Sequence, residues 1–325
     1  MRFTVDPWDP SYGTSVGTDL EPSRVEAVVG LERPVEQWGP IDPQVGLLAP
    51  SRVLFVDGVR RTDAQVWVDE GGGVASPALC ASYAAGVVCC CPDEGAHLVR
   101  ADVRRSLVTS SADGVDVVTT AGTYSCTRVE SGRPGEDPGT ALSVAVQTRM
   151  QETEFLVASG VRDEHGDDDD LVVVDGALGR LHLPRALGLV KTHARTYLPA
   201  DLNGVVAALG PGRRTPVFRL EQPESDRALH RHTWYLRLPG PPGAPWAGIV
   251  RIECGGELPA ELVVALADLS QVTLPRFASV AYKDSRAPQN LYPIAGLERA
   301  LRRRLGEPAL LYRALRRAAG VPVPA

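Results

Sequence analysis

A chain of 325 residues that is 44% hydrophobic and 23% charged can bury one large core or two modest ones. Its formal charge of -6 excludes a generally basic nucleic-acid binder, because phosphate affinity comes from local Lys and Arg neutralisation. No run of about 18 apolar residues occurs, and the first residues lack a charged-then-apolar leader, so the expectation is a cytoplasmic protein with no membrane segment.

Residues 1–50 contain seven prolines and little periodicity beyond a possible helix near Pro22 to Val29, and are read as an irregular N-terminal arm. The domain proper is expected over residues 51–325. It opens with Val53, Leu54, Phe55 and Val56, an apolar run closed by Asp57 and Gly58; Ala64, Val66 and Val68 then alternate with other residues. The pattern predicts two paired strands. Ala78 to Cys91 is long enough for a third beside them, and residues 98–126 alternate again before Ser131 to Gly139 breaks the chain.

A helix is expected next. Leu142, Val146, Met150, Thr153 and Val157 recur at steps of four, four, three and four, with Gly160 as its stop. After an acidic loop, His165 to Asp170, the run Leu171 to Val174 forms another buried strand, closed by Asp175 and Gly176. Further strands are expected at Thr215 to Leu220, Thr233 to Leu238 and Ala247 to Glu253, then helices at Leu258 to Ser270, Ile294 to Leu305 and Pro308 to Ala319. Strands first, then strands mixed with helices, indicate an α/β fold on one mixed sheet.

The chemistry is expected in the carboxylates. Asp57-Gly58 and Asp175-Gly176 each follow an apolar strand, and an aspartate at the carboxyl end of a buried strand sits where open sheets bind ligands. One Asp-Gly is a common turn; two after equally apolar strands suggest a divalent-cation site. Mg²⁺ and Mn²⁺ need oxygen ligands, and two-metal phosphodiester hydrolysis uses three or four carboxylates around ions about 3.5 to 4 Å apart. Glu154 flanks the buried helix stripe and is the third candidate, with Glu152 its rival and an ordinary surface glutamate the plain alternative.

These pieces together resemble the NurA nuclease family. The likeness is carried by the Asp57-Gly58 strand, the helix from Arg149 to Glu154, the Asp175-Gly176 strand, the segment from Gly188 through Lys191 to His193, and KDSRAPQNLYP from Lys283 to Pro293, in that order over about residues 50 to 318. The resemblance implies a ribonuclease-H-like mixed central sheet flanked by helices. It also implies Mn²⁺-dependent 5′ to 3′ exonuclease and single-strand endonuclease activity on DNA, a homodimer, and partnership with a HerA-type hexameric ATPase in DNA end resection. By position it assigns metal ligation to Asp57, Glu154 and Asp175. Where the family has a histidine after the Tyr-Pro pair this chain has none, and Glu298 is the substitute, with Asp284 second. Mg²⁺ is the alternative ion, and two ions are expected. Lys191 is read as neutralising phosphate or positioning water, against a plain strand-end lysine; His193 reads as a hydrogen-bonded histidine more readily than as a base.

Other features carry less. The six cysteines form no CxxC pair and read as small buried hydrophobes, with a structural zinc or redox site the alternative. His230 and His232 are spaced for one strand face but lack neighbouring ligands. The run Asp167 to Asp170 reads as a solvated loop, and the arginines from Arg299 to Arg317 as a solvated helix face or a contact for DNA or a partner. No phosphate-binding GxxxxGK[ST] loop exists, so the chain should not hydrolyse ATP. Two rival readings stand beside the nuclease: a catalytically weak adaptor that holds DNA for a translocase, and an actin-like phosphotransferase, for which no phosphate-binding glycine loop can be placed.

Overall fold

The computed structural model describes residues 16–22, 25–130, 137–165, 169–178, 183–221, 230–241 and 243–320. Within it the expected breaker at 131–136 and Asp167 and Asp168 of the acidic run lie outside the described residues. The chain forms two compact units, both α/β and mostly antiparallel: residues 1–55, 89–97 and 167–295 make the first, residues 56–88, 98–166 and 296–325 the second.

In the first unit, β1 (Val16–Pro22) pairs in parallel with β10 (His193–Thr196). The main sheet takes β2 (Glu26–Val28), β11 (Phe218–Glu221), β12 (Arg231–Arg237), β13 (Ile249–Gly255), β9 (Ala186–Val190) and β8 (Leu171–Asp175) in that spatial order. The start of β3 (Val53–Asp69) follows β8. β8 and β9 run parallel, and their register sets Asp175 against Leu189.

Both faces of β12 and β13 are covered, so these strands are buried almost throughout, polar residues included. Trp234, Leu236, Val250 and Ile252 pack with Val263, Leu266 and Ala267 of α3 (Ala260–Thr273). Tyr235 and Ile249, of opposite parity, pack with Leu202 and Val206 of α2 (Ala200–Ala207). Arg214, almost fully buried, donates to Glu32 at 2.7 Å and to Asp268 of α3 at 2.6 Å. Burial works against its charge and the two carboxylates outweigh that cost, so its pKa is raised.

In the second unit, β3 continues beside β4 (Ala75–Cys91), β5 (Gly95–Thr109), β7 (Gly122–Arg128) and β6 (Val117–Thr119). Tyr83 and Val108 pack with Leu142, Val146 and Met150 of α1 (Pro138–His165), so the expected helix stripe faces the strands. The remaining helices are α4 (Tyr292–Arg304) and α5 (Pro308–Ala319). Among the described residues no helix is long and apolar enough to cross a membrane.

Four local expectations are corrected. The helix near Pro22 to Val29 is instead strand β2, paired with β11. The two strands expected around Asp57 are one strand, β3, which continues through Gly58 to Asp69. Asp57 therefore lies inside a strand, while Asp175 does end one. Nor does Gly160 stop α1: a Cβ there would lie 2.6 Å from Arg100 Nη1, so the glycine makes room for that side chain and the helix runs on to His165.

Candidate functional site

The two Asp-Gly pairs look alike in sequence but do different work. At Gly58 the strand stays extended, and a Cβ would lie 2.5 Å from Glu154 Oε1 and 2.9 Å from Met150 Cγ. Only glycine lets α1 bring Glu154 this close to β3. Asp57 Oδ1 accepts the Gly58 N–H at 2.8 Å, so the Asp57 and Glu154 carboxylates are both held against one residue. Both side chains are buried, at 7% and 6% exposure. Glu152, the rival, is exposed and paired with Arg149 at 2.8 Å.

Gly176 has φ of +94° and open space around its missing Cβ, so its role is backbone conformation. It turns the chain immediately after Asp175. The alternation that buries Leu171 and Val173 delivers Asp175 two residues later, and the alternation that buries Leu187 and Leu189 delivers Lys191. Lys191 Nζ donates to Asp175 Oδ2 at 2.7 Å and lies 2.7 Å from Oδ1, which makes no hydrogen bond. Lys191 also donates to Asn290 Oδ1 at 2.8 Å, and Asn290 Nδ2 donates to Asp284 Oδ2 at 2.6 Å. Asp284 Oδ1 accepts the Arg286 N–H at 2.8 Å.

The first unit therefore assembles Asp175, Lys191, Asn290 and Asp284, and the second holds Asp57 and Glu154 each against Gly58. Asp284, the second choice for the late ligand, joins the lysine network; Glu298, the first choice, accepts from Arg302 at 2.7 Å on α4. Sequence reasoning missed Asn290. Its signal was present in the quoted KDSRAPQNLYP segment, where a buried amide between two charged groups is hard to tell from a loop residue.

Two other expectations are clarified by their surroundings. His193 is 5% exposed, its Nε2 lies 3.1 Å from Ile249 O, and Trp246 and Tyr235 flank the ring. Burial lowers its pKa to about 4, so it is a neutral core histidine. His232 is likewise buried with a lowered pKa and contacts Gly255 O at 3.1 Å. Burial pushes Cys89 up to about 12 and Cys90 to about 11, which removes them as nucleophiles at neutral pH. A further buried ion pair, Arg251 with Glu253 at 2.8 Å, supports the bend after β8, because Glu253 Oε1 accepts the Leu178 N–H at 2.8 Å.

No family model matches the chain, and no curated protein matches it.

Proposed function

We propose that this chain is a divalent-metal-dependent DNA nuclease with a ribonuclease-H-like core. The observation that carries the proposal is the pair of buried carboxylates, Asp57 and Glu154, held against Gly58 where any side chain would displace Glu154. An all-oxygen donor set with no sulfur or imidazole suits a hard cation, Mn²⁺ or Mg²⁺. Asp57 and Glu154 would hold it.

The strand order supports the fold reading. β3, β4 and β5 follow one another as neighbours, α1 comes after the short strands β6 and β7, and β8 then lies beside β3 with β9 parallel to β8. A ribonuclease-H-like core needs three neighbouring strands, a later helix, and a return to the free edge of the first strand, and β6 and β7 would be an insertion in it.

When bound, the cation supplies Lewis acidity, which acidifies water and offsets charge on the phosphoryl oxygens. Asp57 and Glu154 supply negative charge to retain it. Lys191 supplies a fixed ammonium of the sign that a phosphate needs, held by Asp175 and Asn290. The reading extends to 5′ to 3′ exonuclease and single-strand endonuclease action, as a homodimer beside a HerA-type hexameric ATPase, in the cytoplasm. The Lys191 ammonium on Asp175 favours a second reading, in which Asp175 is already neutralised and the chain holds DNA for a translocase without cutting it.

The test is incubation of labelled single-stranded and double-stranded DNA with Mn²⁺, Mg²⁺ or a chelator. Cleavage that requires metal and disappears in Asp57→Ala and Glu154→Ala is expected. DNA retained but uncut with either metal would establish the adaptor, and cutting undiminished in both variants would remove the proposed centre.

A further inference from the structure

The cysteines remain unexplained by any of this, and three residues at one hairpin end stand apart. Cys89 and Cys91 close β4 at positions i and i+2, which places their thiols on one face of the strand; Cys90, of opposite parity, packs against the large apolar core of the first unit. After Pro92, Asp93 and Glu94 the chain returns in β5, and His97 is its third residue. One ligand atom from each of Cys89, Cys91 and His97 lies within 4.8 Å of the others. Cys89 is buried, while Cys91 and His97 are half-buried, so the cluster opens to solvent on one side.

We propose that Cys89, Cys91 and His97 bind a single zinc-class ion at the end of the β4 to β5 hairpin. Tetrahedral zinc, with bonds of about 2.3 Å to sulfur and 2.0 Å to nitrogen, sets its ligand atoms roughly 3.5 to 3.8 Å apart, so a spread within 4.8 Å closes by rotamer adjustment alone. The imidazole is already oriented. A zinc-bound histidine characteristically donates its second ring N–H to a carbonyl, and His97 Nδ1 lies 3.3 Å from Gly95 O, which leaves Nε2 to ligate. Glu94 Oε2 lies 3.8 Å from that nitrogen and borders the fourth coordination position.

The donor set decides the metal. Two thiolates and an imidazole select zinc over Mg²⁺ or Mn²⁺, the reverse of the preference of Asp57 and Glu154. The chain would therefore carry two chemically separate metal sites. Because the three ligands come from both strands of one turn, the ion would staple the hairpin where β4 hands the chain to β5, which makes its role structural.

The test titrates Co²⁺ into the reduced, chelator-treated full chain. One equivalent should produce a thiolate-to-cobalt charge-transfer band and the intensified visible bands of tetrahedral cobalt, both abolished by one equivalent of Zn²⁺ and unaffected by excess Mn²⁺. Cys91→Ser and His97→Gln should weaken binding at least tenfold, whereas Cys90→Ser should leave it unchanged. Circular dichroism of each metal-free variant checks that it folds. X-ray absorption at the zinc edge of the wild-type chain needs no variant, and should find two sulfur scatterers. Absence of the charge-transfer band, its survival in Cys91→Ser, an equal loss in Cys90→Ser, or a zinc shell of oxygen and nitrogen alone would each overturn the proposal.

Discussion

The Asp57-Gly58 pair and the Asp175-Gly176 pair share two residues and an apolar approach, yet the molecule uses each glycine for a different property. Gly58 is needed for what it lacks, since a methyl group there meets Glu154; Gly176 is needed for the angle it adopts, since φ of +94° strains any side-chain-bearing residue. The carboxylates differ too. Asp57 is buried and accepts the Gly58 N–H, whereas Asp175 is held by the ammonium of Lys191.

Substitutions can break that comparison in order of expected effect. Asp57→Ala and Glu154→Ala should each lower metal-dependent DNA cleavage on the order of a thousandfold, since loss of a ligand to a Lewis-acid ion removes several kcal/mol of transition-state stabilisation. Gly58→Ala should approach that loss without removing any carboxylate, because Glu154 must move; wild-type cleavage by Gly58→Ala would show that the close approach is incidental. Gly176→Ala should instead cost about 1 to 2 kcal/mol in urea unfolding, with Mn²⁺ binding by the folded variant expected to match the parent chain.

Lys191→Met tests the other side. Removing one partner leaves Asp175 charged and mostly buried, at a cost of about 2 to 3 kcal/mol after allowance for the pair's partial exposure, and Asp175→Asn in the same chain should return at least half of it. Unfolding free energies for the two single variants and the double variant give the cycle. Additive losses would mean that the 2.7 Å contact contributes nothing to the fold.

Acid should unfold the protein in a window set by His193. Its folded pKa, about 4, lies below the ordinary 6.5, so between these values the unfolded chain binds the extra proton. Stability from this residue is complete above pH 6.5 and falls as pH drops toward 4, by about 3 kcal/mol in all. His232 pushes the same way. Denaturant midpoints measured from pH 7 to pH 4 should be less steep in His193→Gln than in the parent chain.

Much of this was legible wherever the signal was local. The helix stripe from Leu142 to Val157 is buried as its spacing requires, and the apolar runs at Val53 to Val56 and Leu171 to Val174 are strands. The continuation of the strand beyond Gly58 was hidden because Asp57-Gly58 is a common turn signal and the polar residues Arg60, Arg61, Thr62 and Asp63 follow it. Their polar groups are satisfied by distant residues: Arg60 donates to Gln147 on α1 at 2.8 Å, and Asp63 accepts from Ser82 and Tyr124. Strand β2 was hidden for the same reason, because its partner β11 lies far along the chain.

The site was legible in part. Spacing placed Glu154 beside Met150, but only the geometry of Gly58 explains why it approaches β3. The Lys191 to Asn290 to Asp284 relay joins residues up to 99 positions apart, a separation at which no periodic pattern reports contact. The cysteine cluster was obscured because no CxxC pair announces it, and Cys89 and Cys91 meet His97 only once the β4 to β5 hairpin has formed.

The central claim, that Asp57 and Glu154 serve one cation, is tested most directly by Mn²⁺ affinity in a double-mutant cycle, read by the loss of the free Mn²⁺ paramagnetic resonance signal. Asp57→Ala and Glu154→Ala should each weaken binding at least tenfold, and the double variant should be little weaker than either, because removing one ligand already abolishes the shared site. Losses that add in full, or wild-type affinity in either single variant, would contradict the account.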